Sequence, residues 1–311
     1  MRPRRAVAFV LFTVGVAQGG MALAREPRSA TAAVSRPSAA RASAAASLGD
    51  KVSRVLDRYH ARPSIQQDSA WSLLHWAIAY GADAQVHADG PQGEPITIIG
   101  WLCCSEAPGK QLVQRRGNQL NLPIAPGLQG HHGQFLSMLA QSNVSETHAL
   151  RVGGHDLQVS DLIEHEKRTC RSGMELTFKL IGISHYTPSE QIWRNWRGER
   201  WNVRRLLVEE MNQPIDRMKC CCGGTHRLFA LSSAVERRRA DGQPVDGPWA
   251  AAAGRVRSYQ RRAFQFQNRD GSFSTMWMER PENSSDLTRS LLTTGHTLEW
   301  MVASLSPDQL Y

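Results

Sequence analysis

The chain has 311 residues, 41% of them hydrophobic and 21% charged, with a formal net charge of +9. That length and apolar content suit one large domain with a substantial core and exclude a wholly disordered chain. The positive charge is spread out, and no extended Lys/Arg tract or aromatic–basic stripe marks a nucleic-acid face.

Taken in chain order, Arg2, Arg4 and Arg5 precede a short apolar run over 6–17, and Ala22-Leu23-Ala24 supplies a small-x-small cleavage pattern. Residues 1–24 therefore read as a cleavable signal peptide, and the mature chain, starting near Arg25, is expected to be periplasmic or secreted. The apolar run is too short for a permanent membrane span. Residues 25–48, mostly Ala, Ser, Arg and Pro, bury too little apolar surface to offset their ordering entropy and read as a disordered linker. Residues 49–311 remain for the folded domain.

From residue 50 onward the periodicity is helical. Val203, Leu206, Leu207 and Met211 share one helix face, as do Ala252, Val256, Tyr259 and Ala263, and Leu298, Met301, Val302 and Leu305. By contrast, 73–78 and 176–183 are apolar nearly all round, the pattern of helices buried among other helices. The alternation predicts outer helices near 49–60, 159–170, 202–213 and 250–267. It places inner helices near 69–80, 129–142, 174–186, 224–238 and 294–305, and one outer helix stays unassigned. Residues 82–127, rich in Gly and Pro, read as an elaborated loop carrying the β-like run Ile96-Thr97-Ile98-Ile99. Sheet beyond a small hairpin there is not expected.

Gly130-His131-His132, Gly224-Thr225-His226 and Gly295-His296 recur where inner helices are expected to begin. A two-helix unit of about 50 residues points to an all-α fold, an α/α toroid of about five helical hairpins.

The segment Gln267-Asn268-Arg269-Asp270-Gly271-Ser272-Phe273 resembles the Q-x-x-D-G-S-W motif of terpenoid cyclases and prenyltransferase-like toroids, with Phe for Trp. The resemblance implies the toroid fold. The chain lacks a D-x-D-D acid and an aspartate-rich diphosphate site, so it does not imply terpene cyclisation. Gly295-His296-Thr297-Leu298-Glu299-Trp300 resembles the G-H-x-x-E-W of N-acylglucosamine 2-epimerase-like barrels, where the histidine is an acid/base group. Over most of 65–310 the string Trp71…His75-Trp76, Gln129-Gly130-His131-His132-Gly133-Gln134-Phe135, Glu175-Leu176-Thr177-Phe178-Lys179-Leu180 and Cys222-Gly223-Gly224-Thr225-His226-Arg227-Leu228 is similar to a family of uncharacterised exported bacterial proteins.

In a ring of hairpins the loops entering the inner helices share one rim. His131, Glu175, His226, Arg227 and His296 would sit in first turns of inner helices and converge there, the ordinary description of a binding or active site. His226, His296, His131 and Glu175 are the candidate catalytic acid/base groups, although Glu175 and Lys179 also have the spacing of an i, i+4 ion pair. Arg227, Glu299 and Trp300 are candidate ligand-binding residues, Arg227 because it follows glycines at a helix N-terminus, a setting suited to anions. The six cysteines, Cys103, Cys104, Cys170, Cys220, Cys221 and Cys222, suit disulfides in an exported chain, with a bridge expected from Cys103 or Cys104 to the 220–222 cluster. Zinc is the less favoured alternative: Cys222 and His226 are four apart, and Cys103 or Cys104 with His131 or His296 would complete a tetrahedron. The functional expectation is a saccharide-active epimerase, lyase or hydrolase with no required cofactor; the other reading is an envelope scaffold holding a glycan or peptide at the toroid mouth.

Overall fold

The computed structural model describes residues 48–305, apart from 61–64, 66–67, 88–92, 106, 108 and 216–220. The expected signal peptide, and the expected linker up to residue 47, lie outside the described residues. No described helix is long and apolar enough to cross a membrane.

Ten α-helices and four two-stranded antiparallel hairpins make up the described fold. In order these are α1 (Leu48–His60), α2 (Ala70–Tyr80), β1 (Gln85–His87), β2 (Pro95–Thr97), α3 (Ile98–Cys104), β3 (Gln114–Arg116) and β4 (Gln119–Asn121). Next come α4 (Gln134–Gln141), β5 (Ala149–Val152), β6 (His155–Gln158), α5 (Val159–Arg168), α6 (Thr177–Tyr186), β7 (Trp193–Arg194) and β8 (Arg200–Trp201). The chain finishes with α7 (Val203–Met211), a 3-10 turn (Cys221–Gly224), α8 (Thr225–Ala240), α9 (Gly247–Gln265) and α10 (Leu287–Ser304).

The closest helix neighbours run α4 to α6, α6 to α8 and α8 to α10, with α2 against α3 and α4. α5 lies on α4 and α6, α7 on α6, α8 and α9, and α9 on α8 and α10. This layering follows from the apolar patterns. α6 is buried from Thr177 through Ser184, whereas α7 buries mainly Val203, Leu206 and Leu207 and turns Arg204 outward.

One close approach depends on a missing side chain. A Cβ on Gly182 of α6 would lie 2.8 Å from Leu136 Cγ and 3.1 Å from Ser137 N of α4. Gly182→Ala is therefore expected to destabilise by about 1–3 kcal/mol through overpacking. The contrast is Gly254→Ala on α9, where the nearest atom is the tip of Arg257 at 4.0 Å; that change should stabilise by up to ~1 kcal/mol. Urea midpoints of the two variants shifting in the same direction would contradict the packing argument.

Several sequence expectations need correction. Sheet is not confined to 82–127, because β5–β6 and β7–β8 lie outside it. The β5–β6 turn is Gly153-Gly154, both at positive φ (56° and 74°), the backbone a two-residue hairpin turn requires. The run Ile96-Thr97-Ile98-Ile99 is only half strand. Thr97 ends β2 and caps α3, its Oγ1 accepting from Gly100 N–H at 3.1 Å, so 82–127 contains a helix as well as two hairpins. α10 begins at Leu287, where Asp286 accepts from Arg289 N–H at 3.1 Å, well before the expected residue 294. Conversely α4 starts after His131 and α6 after Glu175. Only His226 and Arg227 of the five rim candidates occupy a first helical turn.

Candidate functional site

The site is assembled where the turn before α8 meets the middle of α10. Cys222 (φ 51°, ψ 42°) and Gly223 (φ 62°) are consecutive left-handed residues. A cysteine in that conformation is strained, a condition that persists only where the surroundings enforce it. Thr225 Oγ1 donates to Cys222 O at 2.8 Å and helps hold the turn on the first residues of α8. Trp277 is another left-handed residue (φ 57°), and its indole lies over Gly223, where a Cβ would fall 2.2 Å from Trp277 Cδ2. Gly223→Ala should cost about 2 kcal/mol or more and displace Trp277. An unchanged tryptophan emission spectrum together with unchanged stability would refute that packing.

One ligand atom each of Cys222, His226 and His296 lies within 4.8 Å of the others. The His226 and His296 rings meet edge to face, centroids 4.6 Å apart. Glu299, one turn along α10, places Oε2 3.1 Å from His296 Nδ1 and 3.9 Å from His226 Nε2. His296 is 1% exposed and Glu299 8%. Burial would raise the Glu299 carboxyl, but the His296 hydrogen bond and the fields of His226, His296 and His75 hold it below its ordinary value. His75 of α2 lies within the electrostatic reach of the same carboxylate. Burial lowers it to about 4, against its hydrogen bond to Trp71 O at 2.6 Å and the pull of Glu299.

A second pair stands beside the first. His131 Nδ1 is 2.7 Å from Glu175 Oε2, with side chains 23% and 37% exposed. The His131 ring stacks on Phe178 (4.9 Å), and Phe178 lies 5.0 Å from the His226 ring. The contacts thus run His131, Phe178, His226, His296, with Trp277 6.2 Å from His296. All four predicted catalytic residues are brought into this one line. Phe178 and His75 were not singled out as site residues by the sequence, whereas Trp277 was one of several tryptophans, with Trp196, that could stack on a sugar.

The other candidates are placed differently. Arg227 Nε bonds Glu210 Oε2 at 2.8 Å, and its Nη1 donates to Pro214 O. Glu210, fully buried, also accepts from Leu176 N–H (2.8 Å) and Thr177 Oγ1 (2.7 Å), an anion at the N-terminus of α6. Arg227 therefore clamps α8 to α6 and α7. Trp300 is 0% exposed and packs in the core, while Glu299 lies in the site. Lys179 pairs with Glu166, not Glu175, because Glu175 precedes the helix and the i, i+4 geometry does not exist there.

Among the described residues there is no disulfide, and Cys103, Cys104 and Cys170 are free thiols. Cys104 Sγ lies 3.9 Å from Ala149 O beside β5, while Cys222 is turned to the histidines, so the expected bridge between these two regions is not made by Cys222. Cys170 donates to Glu166 O at 3.2 Å, and burial pushes its thiol up to about 12. Cys220 and the Cys221 side chain lie outside the described residues. The 267–273 segment forms a turn in which Asp270 Oδ1 accepts from Ser272 N–H (3.0 Å), and Phe273 N–H donates to Thr294 Oγ1 of α10 (3.1 Å).

Comparison of the chain with protein-family models, with curated proteins and with solved structures finds no match.

Proposed function

We propose that this chain is an exported zinc-dependent enzyme of the α/α-toroid type acting on saccharides, with Cys222, His226 and His296 holding the metal. The observation that carries this reading is the convergence of one thiol and two imidazoles within 4.8 Å, backed by the Glu299 carboxylate. Zinc bond lengths of about 2.0–2.3 Å put ligand atoms roughly 3.3–3.7 Å apart, so side-chain shifts of about 1 Å close the set. Charge balance favours a dication: a Cys222 thiolate and the Glu299 carboxylate together offset two positive charges in a buried place, where an isolated carboxylate is costly. Glu299 accepts from His296 Nδ1, which turns Nε2 toward the other ligands, the usual carboxylate–histidine arrangement behind a metal.

A zinc ion held by Cys222, His226 and His296 would supply Lewis acidity toward a water or substrate oxygen. The chain's own groups do the rest. His131, oriented by Glu175 and partly exposed, is the proton-transfer group, while Phe178 separates it from His226. His226 and His296 serve as ligands rather than as the acid/base pair. The serial packing of α4, α6, α8 and α10, with α2 against α4, supports a curved array of helices around this centre.

Metal analysis of the protein purified from the exported fraction tests the reading. One zinc per chain is expected, with a thiolate-to-metal charge-transfer band on cobalt substitution that Cys222→Ser abolishes. Saccharide turnover should depend on that zinc. A chain that neither retains nor takes up zinc overturns the proposal, and stoichiometric zinc without turnover on any saccharide favours the scaffold reading.

A further inference from the structure

We infer that the groove between the β3–β4 hairpin and α5, walled along its length by Trp196, binds a carboxylate-bearing saccharide. This rests on the saccharide reading above and deepens it, but it uses none of the metal-centre residues. Two adjoining cavities, about 530 Å³ and about 280 Å³, share Leu120, His165, Thr169 and Trp196 as walls. Together they lie within the size range of small-ligand sites.

Three observations point to what fills them. Gln129 lines the smaller cavity and is 0% exposed. Its Oε1 accepts from Phe135 N–H at 3.2 Å, which sets the orientation of the amide, and its Nε2 has no acceptor among the described residues. A desolvated donor of this kind is costly until an oxygen meets it, and a ligand hydroxyl or carboxylate in the cavity does so. The second observation is charge. Arg168 and Arg171, both exposed, line the cavities and make no ion pair among the described residues. The carboxylates on the α5 wall are engaged, Glu164 with Lys167 at 2.8 Å and Asp161 with Gln158 N–H at 2.8 Å. His165 on that wall is held below its ordinary value by burial and, against Glu166, by Lys179 and Arg168. The surplus is positive, and guanidinium groups suit a carboxylate.

The third observation is aromatic. Trp196 is 58% exposed, whereas Trp193, Trp201 and Trp300 are buried, and the Arg197 guanidinium sits 4.7 Å from its ring centroid. An exposed indole in the wall of a polar groove offers a flat apolar face for a sugar ring. The amides of Asn118, Gln119 and Asn121 both donate and accept, as adjacent hydroxyls require. That combination favours an acidic sugar over an acidic peptide.

Calorimetric titration of the zinc-loaded and the zinc-stripped chain with trigalacturonate, neutral triacetylchitotriose and triglutamate tests the inference. Trigalacturonate alone should bind, with equal affinity in both forms, and should change tryptophan emission. Trp196→Ala and Arg168→Gln, both at exposed positions where folding is not at risk, should each weaken it roughly tenfold, the scale of one charge-assisted contact. Triglutamate or the neutral sugar binding as tightly, trigalacturonate failing to bind, or binding that survives both substitutions would each overturn the inference. Binding without saccharide turnover would sink the catalytic reading alone; turnover without binding here would sink this one alone.

Discussion

His296→Ala is expected to lower zinc affinity by well over 100-fold, while Glu299→Gln lowers it by only about 10–100-fold. In the proposed zinc site the first would remove a direct ligand and the second the carboxylate that orients it, and outer partners of that kind carry the smaller effect. The contrast matters because both changes fall on α10 within one turn, with Oε2 and Nδ1 3.1 Å apart, so general damage to the helix would move them together. Competition against a chromophoric chelator, with helical ellipticity as the control on folding, measures both. Equal losses in the two variants, or zinc binding that survives His296→Ala, would remove His296 from the ligand set. In the zinc-free form His296→Ala should leave much of the fold intact, because α10 is also held through Trp300, Met301 and the Phe273 N–H bond to Thr294.

The second large effect is expected away from the site. Lys179, 2% exposed, donates to the Glu166 carboxylate, to Glu166 O at 3.2 Å and to Thr169 Oγ1 at 2.7 Å. Three acceptors for three ammonium protons leave nothing for water to add. Lys179→Met strands the buried Glu166 carboxylate and should destabilise by about 3–5 kcal/mol, while Lys179→Met with Glu166→Leu should recover much of the loss. Urea unfolding of the single and double variants checks this through the midpoint at constant m. If the double variant is no more stable than the single one, the cost is lost packing between α5 and α6 and not an unpaired charge.

The sequence read helices well because their signal is local. The apolar faces of α7, α9 and α10 and the all-round apolarity of α2 and α6 follow from side-chain period alone. The hairpins were legible in part: Gly153-Gly154 between alternating residues is a turn signal, but strands of two to four residues lie below any periodicity count. The helix starts failed where a cap outranked a glycine. Asp286 begins α10 upstream of Gly295, and the left-handed Gly133, rather than the histidines before it, immediately precedes α4.

What the sequence by itself determined is a helical domain in alternating buried and amphipathic layers, and the residue types available for chemistry, His131, Glu175, His226 and His296 among them. Only the tertiary structure decided the pairings. Lys179 takes Glu166 rather than Glu175, Arg227 takes Glu210 rather than a ligand, and Cys222 faces His226 and His296 rather than Cys103 or Cys104. It alone brings His131, from the middle of the domain, into line with His226 and His296 near the end. The physical reason is range. Backbone periodicity and capping act over about four residues. An ion pair or a ligand set joins groups tens to hundreds of residues apart, and its partners are chosen by which helices pack and by the strained turns, at Cys222 and Trp277, that aim the side chains.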